Sequence, residues 1–325
     1  MEDRELKQLV ADTGRVLLEK GLVARTWGNI SARKDNVKFA ISPSGLGYEH
    51  MQGPDVPIYD TEQKTWEGNR KPSSEKRIHA IAYRLFPDVN FVIHTHQDYA
   101  SALAVAGVGN LKLSEEEKNI LGGVGLATYG LPGTKKLAQN VEAAFKDART
   151  ILMEHHGALI LGKDRDDAIM KAELLEKVCE RVVTEKIGSA SASQLSVSEE
   201  MAAMMKAVTF TSDENIVAVA KGRGFRAQLD DMAQMLGTKI SVVPPRQEDI
   251  LSALNKRDAV LVEGLGCMIK CEKEDDEEAL KLLVKKAAIA KRYTEACGIK
   301  GNLSAFDCIL MRTVYKLKYS KKKGS

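Results

Sequence analysis

Histidine occurs at six positions, 50, 79, 94, 96, 155 and 156, and their spacing is where chemistry is most readily built. His94-Thr95-His96 closes an apolar run from Val89 that reads as a strand. Side chains two apart on a strand share a face, so both imidazoles can reach one ion. A second apolar run ends in Glu154-His155-His156-Gly157 and offers a third ligand. His156 is the preferred one, because Gly157 beside it lets the backbone approach a site closely. His155 stays open as an alternative. Three imidazoles with a free fourth position make a catalytic zinc set, and manganese, cobalt or iron are compatible with it. A cation held so polarises a carbonyl oxygen.

The elements that must position these groups follow from periodicity and turn residues. An amphipathic helix carries Leu6, Leu9, Val10, Val16, Leu17 and Leu18. Short strands are predicted over Asn29–Ala32 and Val37–Ile41, with a turn at Ser42-Pro43-Ser44-Gly45. A polar hairpin follows around Tyr59 to Gly68. Ser74 reads as an N-cap of a helix reaching about Leu85, with Glu75 suited to its positive first turn. Beyond Val89–His96 come a helix over Asp98–Ala106, a strand over Gly125–Tyr129 and a helix over Thr134–Phe145. A strand or hairpin over Thr150–Leu161 and a long helix over Asp166–Ile187 complete this part.

At this point the chain resembles the class II aldolase/adducin family over about residues 5–188. The matching segments are TWGNIS (Thr26–Ser31), SPSG (Ser42–Gly45), PSSE (Pro72–Glu75), HTH (His94–His96), YGLPGT (Tyr129–Thr134) and HHG (His155–Gly157). The resemblance implies metal ligation by His94, His96 and His156, and it makes Glu75 the catalytic base. It places substrate and phosphate at Gly28, Asn29, Ser44, Gly45, Ser73 and Ser74, where turns and helix starts present N–H groups and hydroxyls. It also implies a three-layer α/β fold with a largely antiparallel central sheet. The implied activity is reversible aldol cleavage of a small sugar or sugar phosphate through a metal-stabilised enediolate. Glu75 would then need a raised pKa, which burial supplies and the cation opposes. Epimerases, dehydratases, decarboxylases and the non-catalytic adducin heads share the scaffold. Such epimerases tend to carry aspartate where this chain has Glu75, which favours an aldolase. The tyrosine that sugar-phosphate aldolases use as proton donor has no counterpart in the segment after His96, so that role is unassigned. Family members assemble into homo-oligomeric rings.

After a small-residue stretch, Gly188 to Ser193, the pattern returns without histidine. Strands are predicted at Ile216–Ala220, Lys239–Val243 and, as a pair, Ala259–Ile269. Helices are predicted at Ala227–Leu236, Gln247–Asn255 and Asp276–Cys297. The segment from Arg149 aligns with that from Asp258, with Gly264 and Leu265 where His155 and His156 stand. Residues 191–325 therefore read as a smaller, degenerate repeat of domain 1–190, lacking metal ligands and ending in a basic tail, Lys316 to Lys323. That tail reads as a frayed, solvated end. The net charge of +3 gives no case for nucleic acid, and no apolar run is long enough for a membrane span. Five scattered cysteines and the absence of a secretory signal fit a reducing cytoplasm.

Overall fold

The structure is a computed structural model and describes residues 1–188, 198–271 and 276–320. Residues 189–193 of the expected linker and the run Lys321–Lys323 lie outside the described residues. The chain divides into two compact units, Met1–Val182 and Val183–Ser325.

In the first unit, α1 (Asp3–Glu19) leads to β1 (Asn29–Arg33) and β2 (Lys38–Ile41), then to β3 (Ile58–Asp60) and β4 (Trp66–Glu67). Next come α2 (Lys76–Leu85), β5 (Phe91–Thr95), α3 (Asp98–Val105) and α4 (Glu115–Leu121). The unit closes with β6 (Val124–Ala127), α5 (Lys135–Ala144), β7 (Thr150–Met153), β8 (Gly157–Gly162) and α6 (Arg165–Ile187). The strands form one eight-stranded sheet in the order β4-β3-β2-β1-β5-β8-β7-β6. Every pairing is antiparallel except β6 with β7.

Alternation along the strands decides what each face carries. Phe39 and Ile41, Val92, Ile151 and Met153, and Leu159 and Leu161 share one buried cluster with Ile78, Ala82, Tyr83, Leu137 and Val141 of α2 and α5. His94 is two residues beyond Val92, so it emerges on this same helix-covered face at the strand's end. Antiparallel partners point the same way, and Asn29 lies opposite His94 while Ser31 lies opposite Val92. Polar groups of β1 are thus aimed at α2. Helix α1 packs on β1 and β2, and α3 on β7 and β8. The result is the expected three-layer arrangement around a largely antiparallel sheet.

The second unit contains α7 (Glu199–Ala207), β9 (Thr209–Thr211), α8 (Glu214–Ala220), β10 (Phe225–Arg226), α9 (Asp230–Met235) and β11 (Lys239–Val243). It continues with α10 (Gln247–Leu254), β12 (Ala259–Val262), β13 (Gly266–Ile269), α11 (Glu277–Ala296) and α12 (Ala305–Ser320). Its sheet runs β10-β11-β12-β13-β9. The pairing of β11, β12, β13 and β9 is parallel, antiparallel, antiparallel, which is the sense of β6, β7, β8 and β5. Met153 faces Gly157 across one hairpin and Val262 faces Gly266 across the other. Two residues further, Leu159 faces His94 and Met268 faces Phe210. By this register Phe210, Ser212 and Leu265 stand at the positions of His94, His96 and His156.

Three expectations are corrected here. Ile216–Ala220 is not a strand but most of α8, because Asp213 Oδ1 accepts the Ile216 N–H at 2.8 Å and caps a helix. A short apolar run of this kind fits a buried helix as well as a strand. The strand that pairs is β9. The C-terminal stretch is not a frayed end as far as Ser320: it is α12, which buries Cys308 and Met311 and exposes Phe306, Ile309 and Leu317. The PSSE helix starts at Lys76 with Glu75 in the capping position, and neither Ser74 nor Glu75 caps it by side chain. Instead Ser73 Oγ accepts the Glu75 N–H at 3.2 Å, and the glutamate carboxyl turns elsewhere. Among the described residues no helix is long and apolar enough to cross a membrane.

One buried ion pair tests the packing of the second unit. Lys286 on α11 bonds Asp231 on α9, with side chains 3% and 1% exposed. Replacing Lys286→Met leaves a buried carboxylate without its counter-charge, at a cost of about 3–5 kcal/mol. Chemical denaturation is expected to show that loss and its substantial recovery in Lys286→Met with Asp231→Leu; equal midpoints for wild type and single variant would contradict this packing.

Candidate metal centre

Strand β5 carries His94 into the sheet's interior, where it is fully buried, and His96 follows just past the strand end. His94 Nδ1 lies 2.9 Å from the Ala158 carbonyl on the neighbouring β8. A carbonyl only accepts, so Nδ1 carries a proton and Nε2 is the ring atom turned toward the other two histidines. The chain beyond His96 is locked as well. Gln97 accepts from Thr95 Oγ1 at 2.7 Å and donates to the Ala172 carbonyl at 2.8 Å. The Glu176 carboxylate accepts the Tyr99 and Ala100 N–H groups at the start of α3.

The choice between His155 and His156 is made by the turn joining β7 to β8. His155 holds φ +63°, the left-handed position, and its ring meets Tyr129 edge-on at 5.4 Å between centroids. His156 N–H closes the turn on the Met153 carbonyl at 3.0 Å, and its ring stacks on His94 at 4.8 Å. Gly264 occupies the left-handed position of the matching turn, with φ +68°. A side chain on Gly157 would collide with the chain, its Cβ falling 2.1 Å from the Thr95 carbonyl oxygen.

Three ring nitrogens converge. His94 Nε2 is 3.0 Å from His156 Nε2 and 3.1 Å from His96 Nε2. The potential ligand atoms of the three residues all lie within 4.8 Å of one another. Glu75 joins them, Oε2 at 3.3 Å from His94 Nε2 and Oε1 at 3.1 Å from His156 Nε2. Oε1 is buried and has no hydrogen bond aligned on it. The cluster brings the ligand-type atoms of four residues together around one point. A buried acceptor left without a partner costs about 1–3 kcal/mol. A divalent cation at that point would satisfy all of them, so this donor set fits the ion expected from the sequence. Burial pushes the Glu75 carboxyl up, but the His156 and His94 charges beside it outweigh burial and hold it well below the usual carboxylate range. The direction is opposite to the raised pKa expected for a base, because the imidazoles are in contact rather than merely near.

Behind Glu75 lies a polar chain that the motifs do not announce. Asn29 Nδ2 donates to Glu75 Oε2 at 2.8 Å. The Asn29 carbonyl oxygen bonds His79 Nε2, His79 Nδ1 lies 2.7 Å from Ser31 Oγ, and Ser31 Oγ lies 2.7 Å from the Tyr83 hydroxyl. His79 is fully buried, and burial, reinforced by His94, pushes its imidazole down to about 3. The signal that finds it is helical spacing: Glu75, His79 and Tyr83 are four apart, one stripe of α2, facing Asn29 and Ser31 two apart on β1.

The remaining candidates gather at the same sheet end. Pro43 bridges to Pro72, Ser44 N–H donates to the Lys71 carbonyl at 2.8 Å, and Ser73 N–H to that of Ser42 at 3.1 Å. Gly28 has φ +80°, and a Cβ there would fall 2.3 Å from the His94 carbonyl oxygen. Gly133 of the YGLPGT segment approaches Ser74, whose Cβ would lie 3.2 Å from an added methyl. Ser44 and Ser74 are exposed and Gly28 and Gly45 partly so, all open to a ligand. Ser73 is buried beneath the Glu75 backbone, and Asn29 is 2% exposed with both ends of its amide engaged. Asn29 therefore sits against the carboxylate rather than at a phosphate surface.

Residues 8–183 match the family described as the class II aldolase and adducin N-terminal domain. The chain is 35% identical over 174 residues to a 5-deoxy-D-ribulose 1-phosphate aldolase of Bacillus thuringiensis serovar kurstaki, covering 53% of this chain and 81% of that protein. It is 30% identical over 194 residues to the L-ribulose-5-phosphate 4-epimerase UlaF of Salmonella paratyphi B, covering 54% and 82%. Among solved structures, an L-fuculose 1-phosphate aldolase superposes with a TM-score of 0.53 at 28% identity, covering 62% of this chain and 94% of that one.

The His79 environment makes stability depend on pH. Its folded value of about 3 lies below the ordinary 6.5, so the unfolded chain binds more protons between those limits. The contribution is complete above pH 6.5 and is lost as pH falls toward 3. Glu75, held below its ordinary 4.5, adds a loss only beneath that value. Chelator-treated wild type is expected to lose about 2 kcal/mol more than His79→Gln between pH 6.5 and 5, at about 1.36 kcal/mol per unit. Denaturation curves at the two pH values check this, and parallel losses in both proteins would contradict a neutral buried His79.

Proposed function

Because the chain belongs to the class II aldolase and adducin N-terminal domain family, we propose that it catalyses reversible, divalent-metal-dependent aldol cleavage and condensation of a small sugar phosphate. The observation that carries this reading is the convergence of His94, His96 and His156 nitrogens on the Glu75 carboxylate. His94, His96 and His156 would hold a divalent cation, zinc fitting best, which would supply Lewis acidity to a carbonyl substrate. Glu75 moves the proton. In condensation it removes one from the carbon next to the carbonyl, that carbon's electron pair attacks the aldehyde carbon, and the aldehyde oxygen takes a proton from solvent to become the new hydroxyl; in cleavage that hydroxyl gives its proton to solvent as the carbon–carbon bond breaks, and Glu75 returns a proton to the carbon released. Its low-lying carboxyl makes it ready to accept at neutral pH, while reduced basicity limits its driving force until substrate alters the site. Ser44 and Ser74, with the turns at Gly28 and Gly45 and the Ser73 backbone ahead of α2, bind the phosphate.

The similarity to a 4-epimerase supports a second reading on the same residues. Glu75, where such epimerases tend to carry aspartate, favours cleavage. The second unit is read as a degenerate copy of β5 to α6, supported by its shared strand pairing and by Phe210, Ser212 and Leu265 at the ligand positions. All metal chemistry then belongs to the first unit.

Metal-loaded protein is to be offered 5-deoxy-D-ribulose 1-phosphate, L-fuculose 1-phosphate and L-ribulose 5-phosphate. Aldehyde release from a ketose 1-phosphate is expected. Glu75→Gln should keep its metal and lose about 10²–10⁴ in kcat, while His156→Ala should lose stoichiometric metal. Epimer formation without aldehyde release would replace the aldolase reading with the epimerase one, and undiminished turnover by Glu75→Gln would remove that residue from the mechanism.

A further inference from the structure

We propose that Tyr83, Ser31, His79 and Asn29 are positioning residues for Glu75, tying down its Oε2 and so fixing how the carboxylate faces the three imidazoles. This rests on the aldolase reading for its kinetic consequence, though not for its geometry. An ionised carboxylate only accepts hydrogen bonds, so Asn29 must present its amide nitrogen, as it does at 2.8 Å from Oε2. Its carbonyl oxygen then faces His79 and requires a proton on Nε2. The neutral ring must accept at Nδ1, so the Ser31 hydroxyl donates there. Ser31 Oγ in turn accepts from the Tyr83 hydroxyl, whose own oxygen accepts the Val92 N–H. The far end is therefore anchored in the β1–β5 ladder, since Val92 is the strand partner of Ser31.

Every proton in this chain points toward Glu75. Reversing the polarity would set the Asn29 carbonyl against a carboxylate, so the ionised form of Glu75 and the Nε2–H form of His79 require each other. Satisfied buried networks rigidify the groups they hold. The two carboxylate oxygens become unlike: Oε2 receives the amide, while Oε1 is buried without an aligned donor. Oε1 is thereby left facing the His156 ring.

The test uses the full chain, loaded with zinc, and 5-deoxy-D-ribulose 1-phosphate as probe. His79→Phe keeps a ring beside Phe39, with which His79 stacks at 6.5 Å, but removes the donor. It should lower kcat by about 10–100-fold, the usual effect of losing an outer-shell partner, with KM and zinc content little changed. His79→Gln, which retains an N–H near Nε2, should recover most of that loss. Nitrogen-15 NMR of histidine-labelled wild type should show His79 as the neutral Nε2–H form at pH 7, and Ser31→Ala should shift its Nδ1 resonance. Wild-type kcat in His79→Phe, or a His79 ring protonated at Nδ1, would overturn the proposal. If wild type turns over none of the three sugar phosphates, the aldolase reading fails, and the NMR result still decides the relay's polarity.

Discussion

Three imidazole nitrogens and a carboxylate lie in contact with one another at the end of a sheet, and most of the first unit serves that crowding. Taking such ionisable groups out of water together is costly unless their geometry is well held. The scaffold must therefore hold them closely, and at His94 and His156 it does so with backbone. His94 is fixed by the Ala158 carbonyl of the adjacent strand, His156 by a turn closing on Met153, and His96 by the locked Gln97 that follows it. Gly28 and Gly157 stand where the carbonyl oxygens of His94 and Thr95 leave no space for a side chain. Main-chain contacts at two imidazoles and the side-chain bonds of Gln97 and Asn29 keep the four ligand-type groups together.

Much of this was legible in the residues. His-x-His at a strand end and His-His-Gly at another predict a shared ion from strand periodicity alone, and six short segments in order carry the family resemblance. The elements of the first unit follow the predicted order because its amphipathic helices and Pro/Gly turns agree with its packing. What was hidden depends on contacts between distant segments. Asn29 looks like a turn residue until β1 is laid beside β5, and only then does its amide face a glutamate forty-six residues away. His79 sits in a helix of apolar neighbours with no motif around it. The reversal of the Glu75 pKa expectation has the same origin, for burial could be guessed from sequence but contact with two histidines could not.

The second unit shows the limits of local pattern more plainly. The run Ile216–Ala220 is apolar enough for strand or helix, and one aspartate at its head decides in favour of helix. Its true edge strand, Thr209–Thr211, is three residues long and half-buried, too short to register as a strand by alternation. Yet the hairpin that follows keeps its counterpart's geometry closely. Gly266 faces the Thr211 carbonyl and the Phe210 ring as Gly157 faces the Thr95 carbonyl and the His94 ring.

That correspondence separates architecture from reactivity. The same strand–turn–strand frame occurs with phenylalanine, serine and leucine as with three histidines, so its conformation is set by glycine, left-handed φ and ladder register rather than by coordination. Such a frame is agnostic about its cargo: the side chains it displays can differ in kind while the hairpin keeps its shape.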